Sequence, residues 1–221
     1  MKKALIVYGG WDGHEPKPCA EIFAKALTAN GFKVEVSDTL MALADEKKVM
    51  GLDLIVPHWT MGELPGEAAG PLFKAVQAGV GLAGCHGGMG DAFRSNTAYQ
   101  MMVGGQFVDH PFGYIDYRVD IVDHCDPITA GLESFAFKSE QYYMHVDPSN
   151  EVLATTTAVW NGATMPCIWK RPYGKGRVFY SALGHCAKEF IEYPIVLEIL
   201  TRGMLWAAEG KPAAPAKGKK K

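Results

Sequence analysis

The chain has 221 residues, 48% apolar, 21% charged and 11% aromatic, which supplies one sizeable core and excludes a disordered or collagen-like chain. Its net charge of −2 hides an asymmetry: Lys211, Lys217, Lys219, Lys220 and Lys221 fall in the last eleven residues and leave 17 basic against 24 acidic side chains before them, so no nucleic-acid-binding face is expected. No apolar run approaches the roughly 20 residues of a membrane-spanning helix, and the run behind Met1-Lys2-Lys3 ends at Gly9-Gly10, so neither membrane association nor a secretory signal is expected.

Residues 4–8 are a short apolar run that predicts a first strand, and 17–29, opened by Pro16 and closed by Asn30-Gly31, carry apolar residues at helical spacing. Residues 32–36 alternate as a second strand, 40–50 are weakly helical, and 52–56 predict a third strand stopped by Pro57. A helix over 67–78 contains Pro71, a fourth strand covers 80–84, and Asp91 is placed to cap a helix that Gly104-Gly105 ends near 103. This alternation predicts a parallel sheet with right-handed crossovers and helices on both faces. The second half changes character: 114–122, 135–137, 152–157, 167–171 and 177–183 are strand-like runs separated by turn signals, with a hairpin at Gly174-Lys175-Gly176. An antiparallel extension is expected, then a final helix over 193–208 with Pro194 in its first turn. Residues 1–209 read as one domain without internal repeats, and 210–221, rich in Ala, Pro, Gly and Lys, as a disordered tail. Cys19, Cys85, Cys125, Cys167 and Cys186 form no CxxC and no disulfide framework, which fits a reducing, cytoplasmic setting.

In an open parallel sheet, ligands bind beyond the carboxyl ends of the strands. Windows of six positions after five strands would hold about one His by chance; His14, His58, His86 and His185 occupy four of them. The segment Gly84-Cys85-His86-Gly87-Gly88 has the pattern of an elbow, where a strand turns sharply into a helix between small residues and projects the central side chain. This strand-elbow-helix arrangement resembles the class I glutamine amidotransferase fold, which is flavodoxin-like and has a Gly-x-Cys-x-Gly elbow. His86 stands where that fold carries its nucleophilic cysteine, and Cys85 is one position early and points the other way on an alternating strand end. His185 matches the place of its catalytic His, but Ala187 replaces the Glu of the His-x-Glu pair, so glutaminase chemistry is not expected.

Within that superfold the chain resembles the ThuA-like, trehalose-utilisation family. The resemblance is carried by 9–16 (GGWDGHEP), 84–88 (GCHGG), 104–111 (GGQFVDHP), 126–132 (DPITAGL), 139–148 (SEQYYMHVDP) and 174–185 (GKGRVFYSALGH). It implies a link to sugar catabolism, with disaccharides such as trehalose and their 3-keto derivatives as substrates.

His14, His86 and His185 together suit Zn²⁺ or another divalent metal, with Glu140 or His145 completing the shell. Such an ion would serve hydrolysis or isomerisation of a keto sugar; the same imidazoles could instead work as acid and base without a metal. No HxxxH or HExxH decides between these. Alternation places Glu140 and Tyr142 on one face and Tyr143 and His145 on the other, so Glu140 and His145 are competing catalytic candidates beside His86 and His185. Trp11, Trp59, Trp169 and Tyr142 are candidates to stack on a sugar ring, Trp11 foremost, with His14 and His58 as further substrate contacts; Trp160 and Trp206 are expected in the core. His110 beside Asp109 reads as a lid or a turn, and His124 as a surface turn. Neither GxGxxG nor GxxxxGK is present, so no nucleotide is expected. The leading expectation is an enzyme binding a small-molecule sugar, with self-association left open; the alternative is a non-catalytic carbohydrate-binding or scaffold module.

Overall fold

A computed structural model describes residues 1–210, so the tail expectation beyond Gly210 lies outside the described residues. The first half contains β1 (Lys3–Gly10), α1 (Pro16–Ala29), β2 (Lys33–Ser37), α2 (Glu46–Met50), β3 (Leu54–Thr60), α3 (Gly66–Gln77), β4 (Gly81–Cys85), α4 (His86–Gly90) and α5 (Thr97–Val103). The second half contains β5 (Gly105–Asp109), β6 (Tyr114–Ile121), β7 (Phe135–Glu140), β8 (Tyr143–Val146), β9 (Glu151–Thr157), β10 (Thr164–Tyr173), β11 (Gly176–Ser181), α6 (Ala187–Glu192) and α7 (Pro194–Ala207).

Among the described residues, nine strands form one sheet in the order β2-β1-β3-β4-β11-β10-β9-β6-β7. The first five are parallel and the pairings from β11 onward are antiparallel. A parallel core with an antiparallel extension is thus the architecture. The order 2-1-3-4-11 reverses at β1, as in flavodoxin-like sheets, and the crevice at that reversal is where such folds bind ligands. Right-handed crossovers place α1 and α3 on opposite faces because the chain leaves β1 in one direction and β3 in the other. Central strands covered on both faces must be apolar throughout: Leu5, Ile6, Val7, Leu54, Ile55, Val56, Leu82 and Ala83 are fully buried.

Three boundaries depart from expectation. Pro57 does not stop β3: the strand pairs with β1 as far as Thr60, while its ladder with β4 covers only Leu54 and Ile55, so its later part needs donors on one edge. The helix expected from Asp91 begins only at Thr97, and a separate short α4 precedes Asp91. Asn96 caps α5 by accepting from Tyr99 N at 3.0 Å, while Asp91 holds Arg94 through two hydrogen bonds of 2.6 and 2.8 Å. A third departure is a separate antiparallel ribbon, β5 with β8, that no turn signal announced.

Candidate metal centre

Four side chains converge beyond the carboxyl ends of the parallel strands. His14 ends the one-turn 3-10 helix that follows β1, His86 opens α4 directly after β4, His185 follows β11, and Glu140 is the last residue of β7. One ligand atom from each lies within 4.8 Å of all the others. Glu140 Oε2 is 3.1 Å from His185 Nδ1, 3.2 Å from His86 Nε2 and 3.9 Å from His14 Nε2, and His86 Nε2 is 3.3 Å from His185 Nδ1.

The elbow is built by sterics. His86 has φ +50, a left-handed conformation that a side chain adopts only where its surroundings enforce it. Two contacts from the β11 side hold it: the Tyr180 hydroxyl donates to His86 O at 3.0 Å, and His86 Nδ1 donates to Ala182 O at 2.9 Å. The following glycines are required by close approach, since a Cβ on Gly87 would strike the His14 ring and one on Gly88 the His58 ring. His14 Nδ1 hydrogen-bonds Thr60 Oγ1 at 2.8 Å. His185 N donates to Glu189 Oε2 at 2.8 Å, and the other oxygen of this buried carboxylate accepts from Tyr114 Oη. Tyr142 lies on His86, with ring centroids 3.9 Å apart and planes at 28°.

The electrostatics follow from these contacts. Burial holds His86 neutral, with its pKa lowered to about 3 in spite of Glu140 beside it. Burial alone would raise the Glu140 carboxyl, but the His14, His185 and His86 imidazoles gathered around it draw it well below the usual carboxylate range. Burial opposes charge on His185 too, and there the Glu140 carboxylate prevails and raises its pKa. A carbonyl only accepts, so the His86 proton sits on Nδ1 and the Nε2 lone pair faces the Glu140 carboxylate. Two acceptors in contact call for a cation or a proton between them.

The donor set fits a metal ion. Bonds of about 2.0–2.1 Å in a tetrahedron put neighbouring donors roughly 3.3–3.4 Å apart, close to the 3.1, 3.2 and 3.3 Å separations here, with the 3.9 Å edge to His14 the slack one. Thr60 and Ala182 O hold the far nitrogens of His14 and His86, the outer-shell arrangement that orients metal-ligating imidazoles.

The profile of the family described as trehalose utilisation, ThuA, matches residues 3–207. The chain belongs to the ThuA family. A ThuA-like protein from Parabacteroides merdae shares the fold with a TM-score of 0.76 at 19% identity, over 96% of this chain and 92% of that one. A ThuA-like protein from Bacteroides uniformis gives 0.77 at 19%, over 94% and 91%. A β-galactosidase from Rahnella gives 0.60 at 18%, over 94% of this chain but 30% of that one. Among curated protein sequences none matches. At these identities the structural likenesses concern the fold; the family's description suggests a role in sugar metabolism.

The other expected residues of this ThuA chain divide clearly. Trp11, 47% exposed, stands edge-on to His14 with centroids 4.7 Å apart, at the rim of the cluster. His58 is buried beneath the elbow against Phe23, both ring nitrogens without a hydrogen bond, and it does not reach the cluster. His145 is exposed on β8, paired in register with Gln106, and is not one of the clustered residues. The two outlying tryptophans exchange places: Trp169 is fully buried, donates to Val103 O at 2.9 Å and packs on Tyr180, because β10 lies well inside the sheet, whereas Trp160 is 59% exposed in the turn after β9. Trp59 covers Gly9 and Gly62. Cys85 is fully buried, and burial pushes its thiol well above the usual range, unsuited to nucleophilic attack. Thr60 and Glu189 are supports that no sequence motif marks; Glu189 lies in the first turn of α6 and reaches back to the backbone just before it. The described residues contain no helix long and apolar enough to cross a membrane, and all five cysteines are free.

Proposed function

We propose that this protein is an enzyme of sugar catabolism that hydrolyses or isomerises a disaccharide or keto-sugar derivative at a divalent metal ion, zinc foremost, held by His14, His86, His185 and Glu140. The observation that carries the reading is the His86 lone pair set against the Glu140 carboxylate at 3.2 Å, with the imidazole proton committed to Ala182 O. Such a contact is costly in a buried site unless a cation or a proton is shared. An ion in this donor set supplies Lewis acidity toward a carbonyl oxygen or an acidified water. The protein's own part is orientation and exclusion: the Ala182 and Thr60 contacts fix the imidazoles, and Tyr142 shields His86 from water. Trp11 offers an exposed indole face at the rim for the C–H surface of a sugar. The free cysteines accord with a reducing, cytoplasmic location.

Metal content settles the first half of the reading. Untagged protein purified without chelator is expected to carry about one metal ion per chain by elemental mass spectrometry, with the ion lost in His86→Ala. Keto sugars such as 3-ketotrehalose then test turnover; equal turnover by wild type and His86→Ala would sink the assignment. Metal absent from both proteins would leave acid-base catalysis by the same imidazoles. A second reading, a carbohydrate-binding or scaffold module, draws support from the β-galactosidase likeness, in which this fold matches less than a third of a longer chain. Tight sugar binding without turnover would favour it.

A further inference from the structure

Glu140 has two oxygens with different neighbours. Oε2 faces the three histidines already described, and Oε1 faces a fourth, His110, whose Nε2 lies 3.7 Å away. His110 follows β5 on the short connection to β6, and its side chain is 38% exposed. The loop is shaped to present it: Asp109 Oδ1 accepts from His110 N at 2.8 Å, Gly113 N donates to His110 O at 2.9 Å, and Phe112 and Gly113 have φ of +76 and +64. Phe107 and Tyr142 flank the ring, at centroid distances of 5.7 and 6.3 Å.

The polarity of His110 can be assigned from its partners. Nδ1 is buried without a hydrogen bond. A bare lone pair there is cheaper than an orphaned N–H, so the proton of the neutral ring belongs on Nε2 and is aimed at Glu140. The 3.7 Å separation is too long for a direct hydrogen bond, yet one oxygen placed about 2.8 Å from each atom closes it. That oxygen must accept from Nε2–H and donate to the carboxylate. A hydroxyl does both. A ketone cannot donate, an ammonium cannot accept, and a carboxylate or phosphate would be repelled by Glu140.

We propose that His110 Nε2 and Glu140 Oε1 form a clasp for one substrate hydroxyl, so that His110 is a specificity-determining residue on the outer side of the site. The proposal rests on the reading of this site as sugar-binding and narrows it to a substrate with a free hydroxyl beside the group that meets the histidine cluster. His110 faces the oxygen of Glu140 that the three histidines leave aside, which gives it a role separate from theirs.

The test is calorimetric titration of wild type, His110→Ala and His110→Gln with trehalose, 3-ketotrehalose and their single-deoxy analogues, with metal content and melting temperature measured on each protein. The expected result is about tenfold weaker binding of the preferred sugar by His110→Ala, partial rescue by His110→Gln, whose amide keeps a donor, and unchanged metal content and melting temperature. One deoxy analogue should bind wild type about tenfold more weakly than its parent and be insensitive to His110→Ala, the signature of a single shared contact. Equal affinity of wild type and His110→Ala for a sugar that binds would overturn the clasp alone, as would the same loss for every analogue, which would indicate a general disturbance or an ordered water in that position. Loss of metal in His110→Ala would make it a ligand and also overturn the clasp. If wild type binds none of these sugars, the sugar-binding reading falls and the clasp falls with it.

Discussion

The parallel half and the antiparallel half contribute to the site in different ways. Residues following β1, β4 and β11, the parallel strands, supply His14, His86 and His185, each anchored by backbone or neighbouring side chains within one turn of a strand end. From the antiparallel half come Glu140, at the break between β7 and β8, and the β5–β6 loop with His110. One half sets the positions of the imidazoles; the other adds the charge that unites them and the face a ligand meets. Chemistry shared between two such regions can be separated by substitution, because the parallel positions follow strand ends inside the sheet whereas Glu140 and His110 come from a strand break and a loop.

The largest expected effect is in the parallel half. His86→Ala should abolish metal retention and reduce turnover at least a thousandfold, measured by elemental mass spectrometry and single-turnover kinetics, since removing a ligand leaves an incomplete shell. In the antiparallel half, Glu140→Gln keeps the shape and removes the charge. It should weaken metal affinity by about 10–100-fold in a chelator competition; an effect as complete as that of His86→Ala would mean the two halves are equally responsible for the ion.

Stability gives the next contrast. Trp169→Ala, in the middle of the sheet, should cost about 3–5 kcal/mol, and Trp160→Ala, in an exposed turn, within about 0.5 kcal/mol, both read from denaturant unfolding. The last contrast concerns pH. Burial first, and the neighbouring His14 and His86 imidazoles second, hold His58 down to about 3 in the folded chain. Its unfolded value is higher, so the unfolded chain takes up the extra proton, and the stability present above pH 6.5 is lost as pH falls toward 3. One such group costs about 1.4 kcal/mol per pH unit, or ~3–5 °C in Tm for a chain of this size. His58→Leu should flatten the acid limb of the Tm profile of chelator-treated protein by about that slope; an unchanged slope would show that His58 is not buried neutral.

What the sequence disclosed follows the same division. The strand-end rule found His14, His86 and His185 because a parallel strand delivers its next residues to one edge of the sheet whatever its neighbours are. Glu140 and Tyr142 both meet His86 and His145 does not, but a strand break at Gln141-Tyr142, rather than alternation along one strand, brings them there. Where pairing partners decide, the sequence was silent. The ribbon of β5 and β8 has no tight turn to reveal it, so His110 could be placed only in a loop. Trp169 and Trp160 both sit in strand-and-turn sequence of similar hydrophobicity, and which of them is covered depends on β10 lying between β9 and β11. Asp91 resembles a cap on composition alone; the Arg94 beside it took its carboxylate.

The lone pair of His86 and the carboxylate it meets are 54 residues apart in the chain, and His86 and His185 are 99 apart. No fragment that stops short of β11 can assemble these groups, and closing such long loops is the slow part of building a sheet of this topology. The cluster therefore needs β4, β7 and β11 in place together. Metal capture during refolding should accordingly lag the return of local secondary structure, and a chain clipped before β11 should present scattered histidines with no common purpose.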